Sequence, residues 1–368
     1  MKVLSIIGTR PEAVKMAPVV RRLGASAVEA RLCVTAQHRQ MLDPILKLFE
    51  IQPDYDLDVM RDDQSLADLS AAVLLGLDKV LSEFSPDWVL VQGDTTTVAI
   101  SALLAYYRRT KVGHVEAGLR TGDKWQPFPE EVNRRVAGAI ADLHFAPTAW
   151  ARDNLLREGI DESAILITGN PGIDAVQHVA GLPRTAMASE LLDESSVGSR
   201  QIILVTAHRR ENFGEPLANI CSAIRRLGAR SDVQILYPVH LNPNVREPVH
   251  RMLQDAPNVT LLPPLDYQTL VHIMKRARLI LTDSGGIQEE AAALGVPSLV
   301  MRALTERPEG VQAGILRLVG TDEARIVTEA NRLLDDEAAH AAMSGAPNPF
   351  GDGHAAERIV DALLRAPA

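Results

Sequence analysis

Leu281-Thr282-Asp283-Ser284-Gly285-Gly286-Ile287-Gln288-Glu289-Glu290-Ala291 runs from a short apolar stretch through Ser-Gly-Gly into a helix-forming segment. Backbone N–H groups at such a helix start can cradle a phosphate, and the missing side chains of Gly285 and Gly286 let an anion come close. The passage also decides the fold class, because strand, tight turn and helix in that order make the unit of a parallel α/β sheet. Glu290, one to two turns into the helix, lies within reach of a ribose diol. No Walker lysine follows, and no G-x-G-x-x-G follows the first apolar run, which argues against a P-loop and a dinucleotide site.

The same unit recurs on both sides. Upstream runs at Val3–Ile7, Leu32–Thr35, Trp88–Val91, Val112–Val115, Leu143–Ala146 and Ile165–Thr168 read as strands, each followed by helical periodicity. The rhythm restarts at Ile202–Thr206, Val233–Val239, Val259–Leu262, Leu279–Thr282, Ser298–Met301 and Leu316–Val319. Two doubly wound parallel-sheet domains are expected, which also suits a chain of 368 residues. The boundary is placed near residue 170, after Gly169-Asn170-Pro171-Gly172. Helical spacing at Ala356, Ile359, Ala362 and Leu363 suggests that residues 350–368 return to the first domain, so the expected division is 1–170 plus 350–368, and 171–349.

Open parallel sheets bind ligands beyond the carboxyl ends of their strands, and the residues there are unusually polar in this chain. Gly8-Thr9-Arg10-Pro11-Glu12 follows the first run, and Arg10 and Lys15 with the helix start form a candidate anion site. Asp94 follows the third run in Gly93-Asp94-Thr95-Thr96-Thr97, where it is either a helix cap or a free carboxylate, with the threonines competing for the cap. Glu116 follows the fourth run and lacks an obvious structural task. In Pro127-Phe128-Pro129-Glu130-Glu131-Val132-Asn133-Arg134-Arg135, pairing of Glu131 with Arg135 at i+4 leaves Glu130 free. His208 and His240 stand at strand ends of the second half, and Arg302 and Arg307 add cations after a later strand.

A net charge of −9 disfavours nucleic acid as a bulk partner, although a small anion needs only local cations. No stretch has the length of a membrane span or a signal-peptide core, so a cytoplasmic protein is expected. Cys33 and Cys221 are far apart and outside metal-ligand spacing, which points to buried thiols rather than a disulfide or a metal site.

The chain resembles the bacterial non-hydrolysing UDP-N-acetylglucosamine 2-epimerases over essentially its whole length. The blocks that carry the likeness are Gly8-Thr9-Arg10-Pro11-Glu12-Ala13, Ala36-Gln37-His38-Arg39, Gly93-Asp94-Thr95-Thr96-Thr97, His114-Val115-Glu116-Ala117-Gly118-Leu119-Arg120-Thr121, His208-Arg209-Arg210-Glu211, Pro238-Val239-His240-Leu241-Asn242-Pro243 and Thr282 to Glu290. The resemblance implies two Rossmann-like domains of the GT-B kind with a central cleft. It also implies interconversion of UDP-GlcNAc and UDP-ManNAc without NAD, metal or other cofactor, through elimination of UDP to 2-acetamidoglucal and its re-addition. By position it implies Asp94, Glu116 and Glu130 as catalytic carboxylates and His208 beside the diphosphate. Arg10, Lys15, Leu265, Leu270, Ser284, Gly285, Gly286, Glu290 and Arg307 fall at nucleotide-contacting positions. A homodimer is implied as well.

Two departures stand out. Leu265 and Leu270 occupy positions where relatives carry Gln and an aromatic near the uracil, so a backbone contact survives and stacking does not. An activating second UDP-GlcNAc would use Gln37, Gln40 and His240, but the accompanying Arg is replaced by Asp63, whose carboxylate repels a diphosphate. Rival readings are a hydrolysing sister enzyme that releases free ManNAc, a GT-B glycosyltransferase and a non-catalytic nucleotide-sugar sensor. Asp94, Glu116, Glu130 and His208 together fit the epimerase best.

Overall fold

The computed structural model describes residues 1–35, 39–61, 63–193 and 197–366, and of residues 39–41 the backbone alone. The chain forms two compact units, Met1–Ala175 with Gly351–Ala368, and Val176–Phe350. Among the described residues the first unit holds β1 (Lys2–Ile7), β2 (Glu29–Val34), β3 (Tyr55–Asp56), β4 (Trp88–Gln92), β5 (Lys111–Val115), β6 (Leu143–Ala146) and β7 (Ile165–Ile167). They pair in parallel in the order β3-β2-β1-β4-β5-β6-β7. The second unit holds β8 (Gln201–Thr206), β9 (Val233–Pro238), β10 (Val259–Leu262), β11 (Leu279–Thr282), β12 (Ser298–Val300) and β13 (Leu316–Leu318), also parallel, in the order β10-β9-β8-β11-β12-β13.

Each order runs outward in one direction from the first strand and then jumps back to start the other half. That jump creates a switch point where neighbouring strand-to-helix loops diverge and leave a crevice. In the first unit it lies between β1 and β4, and in the second between β8 and β11. The expected doubly wound architecture is therefore present in both units. Its strands read as near-continuous apolar runs because helices cover both faces, as the wholly buried Trp88–Val91 illustrates. One strand escapes the sequence pattern: β3 is two residues at the sheet edge, and Tyr55 with an exposed Asp56 offers no periodicity to detect.

Packing at the first switch point is tight. A Cβ on Gly8 would sit 2.6 Å from Thr97 Oγ1 and 3.0 Å from Thr35 Oγ1, so only glycine lets the loop after β1 cross the start of the helix Thr96–Tyr107. Cys33 and Cys221 are buried with free thiols, and burial pushes the pKa of each up to about 12. No helix of the described residues is long and apolar enough to cross a membrane.

The last helix, Ala355–Arg365, buries Ala355, Ala356, Ile359, Val360 and Leu363 and packs on the helix Arg10–Gly24. Its N-cap residue His354 makes no side-chain capping bond; instead Asp174 accepts the N–H groups of Ala355 at 3.2 Å and Ala356 at 2.9 Å. A carboxylate at a helix start is worth about 1 kcal/mol. Asp174→Ala is therefore expected to lower stability by about 1 kcal/mol and to speed amide hydrogen exchange in Ala355–Arg365 above all. Unchanged exchange in that helix would show that Asp174 does not hold it.

Candidate active site

The three carboxylates expected at the first sheet's carboxyl edge occur in connected surroundings. The register Gln92↔Val115 puts the ends of β4 and β5 side by side, and Asp94 and Glu116 follow them directly. Glu116 is buried at 6% exposure in a left-handed conformation, φ 60°. Its Oε1 receives Lys15 Nζ at 2.5 Å and Asn170 Nδ2 at 2.9 Å, while Gln92 Nε2 donates to Oε2. Lys15, which the resemblance puts at a nucleotide-contacting position, pairs with Glu116 across the β1–β4–β5 end of the sheet.

Asp94 does not cap the following helix. Thr95 does so, its hydroxyl accepting from Val98 N, and Asp94 instead pairs with Arg134. Arg134 stands one turn after Glu130, the first residue of the helix Glu130–Ile140. Glu131 is fully buried and bound by Arg135 at 3.2 Å, as its spacing suggests, and it also accepts the N–H of Thr121 at 3.1 Å. Glu130 keeps a buried Oε2 that has no hydrogen-bond partner among the described residues. A buried acceptor without a donor costs on the order of 1–3 kcal/mol.

Residues that sequence reasoning missed complete this edge. Glu12, buried at 3% exposure, accepts the N–H groups of Gly8 and of Thr9 (2.8 Å) and the hydroxyl of Thr95 at 2.5 Å. It thereby ties the loop after β1 to the loop after β4 across the switch point. Burial raises its pKa to about 7, with Asp94 adding to the rise and the accepted hydrogen bonds opposing it. His114 on β5 bonds through Nε2 to Gly93 O at 2.7 Å, and burial holds its pKa down to about 3, so it is a neutral donor that fixes the turn before Asp94. The only sequence signal for Glu12 was its capping-box place, three residues after Thr9.

At the second switch point a buried carboxylate plays the same part. Asp283 has no exposed surface and accepts from His208 N (2.9 Å), Arg209 N (2.9 Å) and Asn212 Nδ2 (3.0 Å). His208 Nδ1 lies 3.7 Å from Asp283 Oδ1, and its ring stacks on His240 with centroids 5.3 Å apart. Desolvation lowers the pKa of His208 although Asp283 pulls the other way. His240, expected at an activator site, thus lies against His208, and its Nδ1 accepts from Asn242 N. Gln37 and the side chain of Gln40 lie outside the described residues, and Asp63 is exposed.

The helix Gly285–Ala293 starts at Ser284, whose side chain makes no capping bond, so the first-turn N–H groups lack an intrahelical acceptor. A Cβ on Gly286 would meet nothing within 4 Å, whereas one on Gly285 would sit 3.0 Å from Arg307 Nη1. Arg307 is steered there by Glu289, which accepts from Nε at 2.9 Å. Arg302 is not a spare cation: it is buried and paired with Glu211 at 2.5 Å and Glu306 at 2.9 Å. Glu290 accepts from Tyr267 OH at 3.0 Å, Leu265 is buried and Leu270 half-buried on the helix Tyr267–Arg276, and Arg10 is half-buried at the first position of its helix. Among the described residues no three His, Cys, Asp or Glu side chains gather as metal ligands would.

Comparison with known proteins places these features in context. The family model described as UDP-N-acetylglucosamine 2-epimerase matches residues 21–364. The UDP-N-acetylglucosamine 2-epimerase of Escherichia coli K12 is 54% identical over 99% of this chain and 98% of its own. That of Bacillus subtilis 168 is 51% identical over 99% and 95%. The crystal structure of the Neisseria meningitidis UDP-GlcNAc 2-epimerase bound to UDP-GlcNAc superposes with a TM-score of 0.93 at 43% identity, covering 100% of both chains.

The raised pKa of Glu12 has a measurable consequence. A carboxyl whose folded pKa lies above its unfolded value of 4.5 adds stability below that value and loses it as pH rises to about 7. Each tenfold change in proton affinity is worth about 1.4 kcal/mol. Urea denaturation should therefore show the wild type losing on the order of 3 kcal/mol relative to Glu12→Gln as pH rises through that interval. Parallel stability curves across the same range would refute it.

Proposed function

The chain belongs to the UDP-N-acetylglucosamine 2-epimerase family, and on that premise we propose that it interconverts UDP-GlcNAc and UDP-ManNAc by eliminating and re-adding UDP. The observation that carries the reading is the carboxylate cluster of the first unit. In it Asp94 and Glu116 are held by cations and amides, while Glu130 keeps a buried oxygen that has no donor among the described residues.

The C2 hydrogen of the sugar has no neighbouring carbonyl, so enolisation is closed to it. A carboxylate takes the C2 proton, the C1–O bond to UDP breaks with its electron pair leaving on the β-phosphate, and a C1=C2 double bond forms. Protonation of C2 from the opposite face and return of the phosphate oxygen to C1 give the epimer. Acid-base groups must therefore stand near both faces, and donors must stabilise departing UDP. Asp94, Glu116 and Glu130 supply the first. Ser284, Gly285 and Gly286 at the helix start, with Arg307 beside them, supply the second, and His208 stands at the neighbouring strand end. Glu290 suits a ribose hydroxyl, and the backbone at Leu265 suits the base.

Incubation with UDP-GlcNAc in D2O tests the whole sequence. Deuterium at C2 of both epimers, with UDP covalently retained and 2-acetamidoglucal detectable on quenching, is the expected outcome. Free ManNAc, or epimer without deuterium, would overturn it. Glu130→Gln and Asp94→Asn should each lower kcat by roughly 10²–10⁴-fold while UDP still binds.

A further inference from the structure

We infer that Asn170 is a positioning residue that orients the Glu116 carboxylate and links its setting to the places where the chain passes between the two units. The inference rests on Glu116 being part of the catalytic machinery.

Asn170 is buried at 1% exposure and uses its two amide ends differently. Nδ2 donates to Glu116 Oε1 at 2.9 Å, and Oδ1 accepts from Gly172 N at 2.9 Å, which closes a tight turn at the start of the helix Pro171–Ala180. The acceptor serves local structure, and the donor reaches 54 residues back along the chain. A carboxylate with Lys15, Gln92 and Asn170 as donors is confined in rotation as well as in charge.

Its place in the chain gives the second half of the inference. The chain leaves the first unit after Ala175 and returns at Gly351. Gly351 lies against Asn170: a Cβ there would sit 3.3 Å from Asn170 N and 3.3 Å from Gly169 Cα, and its φ of 142° suits glycine. Asp174 and Thr168 also hold the returning segment, through the N–H groups of Ala355 and Ala356 and through Arg358 at 3.0 Å. Outgoing and returning segments thus meet within a few residues of the side chain that holds Glu116. Any motion of the second unit relative to the first must be absorbed at these two crossings. A shift there moves Asn170, and with it the carboxylate.

The two ends of the amide allow a clean test in the full-length enzyme. Asn170→Asp keeps an acceptor for Gly172 N, loses the donor to Glu116 and brings a second carboxyl group against that of Glu116. In folded enzyme the inference expects KM for UDP-GlcNAc within about threefold and kcat lowered at least roughly 10–100-fold, the range typical of supporting hydrogen bonds. Wild-type kcat in a folded Asn170→Asp would overturn it, and Asn170→Ser, which adds no carboxyl, separates loss of the donor from repulsion of Glu116. Should Asn170→Asp fail to fold, Asn170→Ser provides the same measurement, because a serine hydroxyl can close the turn yet cannot span to Glu116. Glu116→Gln in the same assay separates the two readings. If Glu116→Gln turns over normally, the catalytic reading of Glu116 fails; if it is inactive while Asn170→Asp is normal, the positioning inference fails alone. Gly351→Ala tests the link to the crossings: its effect on kcat should be non-additive with that of Asn170→Asp, and strict additivity would sever the link.

Discussion

A carboxylate taken out of water must be given donors, and in both units that requirement shapes the loops at the switch point. An unpaired buried charge costs several kcal/mol, so the loops beside Glu12 and Asp283 have little choice of conformation. Glu12 gathers Gly8 N, Thr9 N and the Thr95 hydroxyl, joining the ends of β1 and β4. Asp283 gathers His208 N, Arg209 N and Asn212, joining the ends of β11 and β8. Parallel sheets let their loops diverge at the very place where ligands bind, and one buried acid per sheet draws the diverging loops together again. Asp94, His208 and Ser284 stand beside these pins and take their positions from them.

The cations follow the same logic. A chain with a net charge of −9 cannot leave its arginines loose around an anionic ligand without their drifting to the nearest acid. Here Lys15 is set on Glu116, Arg134 on Asp94 and Arg307 on Glu289. Glu306 shows the strength of this field: burial pushes the pKa of its carboxyl up, yet Arg302 and Arg307 pull it down to about 2, so it remains charged. Arg307 is consequently held against Gly285 by its bond to Glu289. The backbone N–H groups after Ser284 add positive potential beside Arg307 without adding a charge to the count.

The strands, their division between two parallel sheets and the Ser-Gly-Gly turn were legible in the sequence because each writes a local pattern: apolar runs of β4 or β11, then Gly or Ser, then helical spacing; the order of strands within each sheet was not. The site was legible only as a set of strand-end residues. Their pairing was not, since Lys15 meets Glu116 across 101 positions and Asn170 meets it across 54. Periodicity carries no information about contacts that long. Lys15 and Arg302 read in the sequence as unmatched cations, yet each meets an acid in the fold, because an unmatched charge in the sequence need not be unmatched in space. The pairing of Glu131 with Arg135 was readable because it lies within one helical turn.

Asp94 shows how a fold keeps a carboxylate off the backbone of the helix that follows it. The turn after β4 ends with Gly93 at φ 80°, fixed by His114 through its carbonyl, and the helix beyond needs an N-cap. An aspartate in that place would ordinarily be drawn to the backbone, because its carboxylate complements both the unpaired N–H groups and the helix dipole. Thr95 removes the attraction by capping the helix itself, while its hydroxyl proton goes to Glu12. A hydroxyl can accept from Val98 N and donate to a carboxylate at once, which no acid in its ionised form can do. The threonine therefore satisfies the helix and the buried acid together. Asp94 is left to Arg134, a partner on a side chain rather than the backbone.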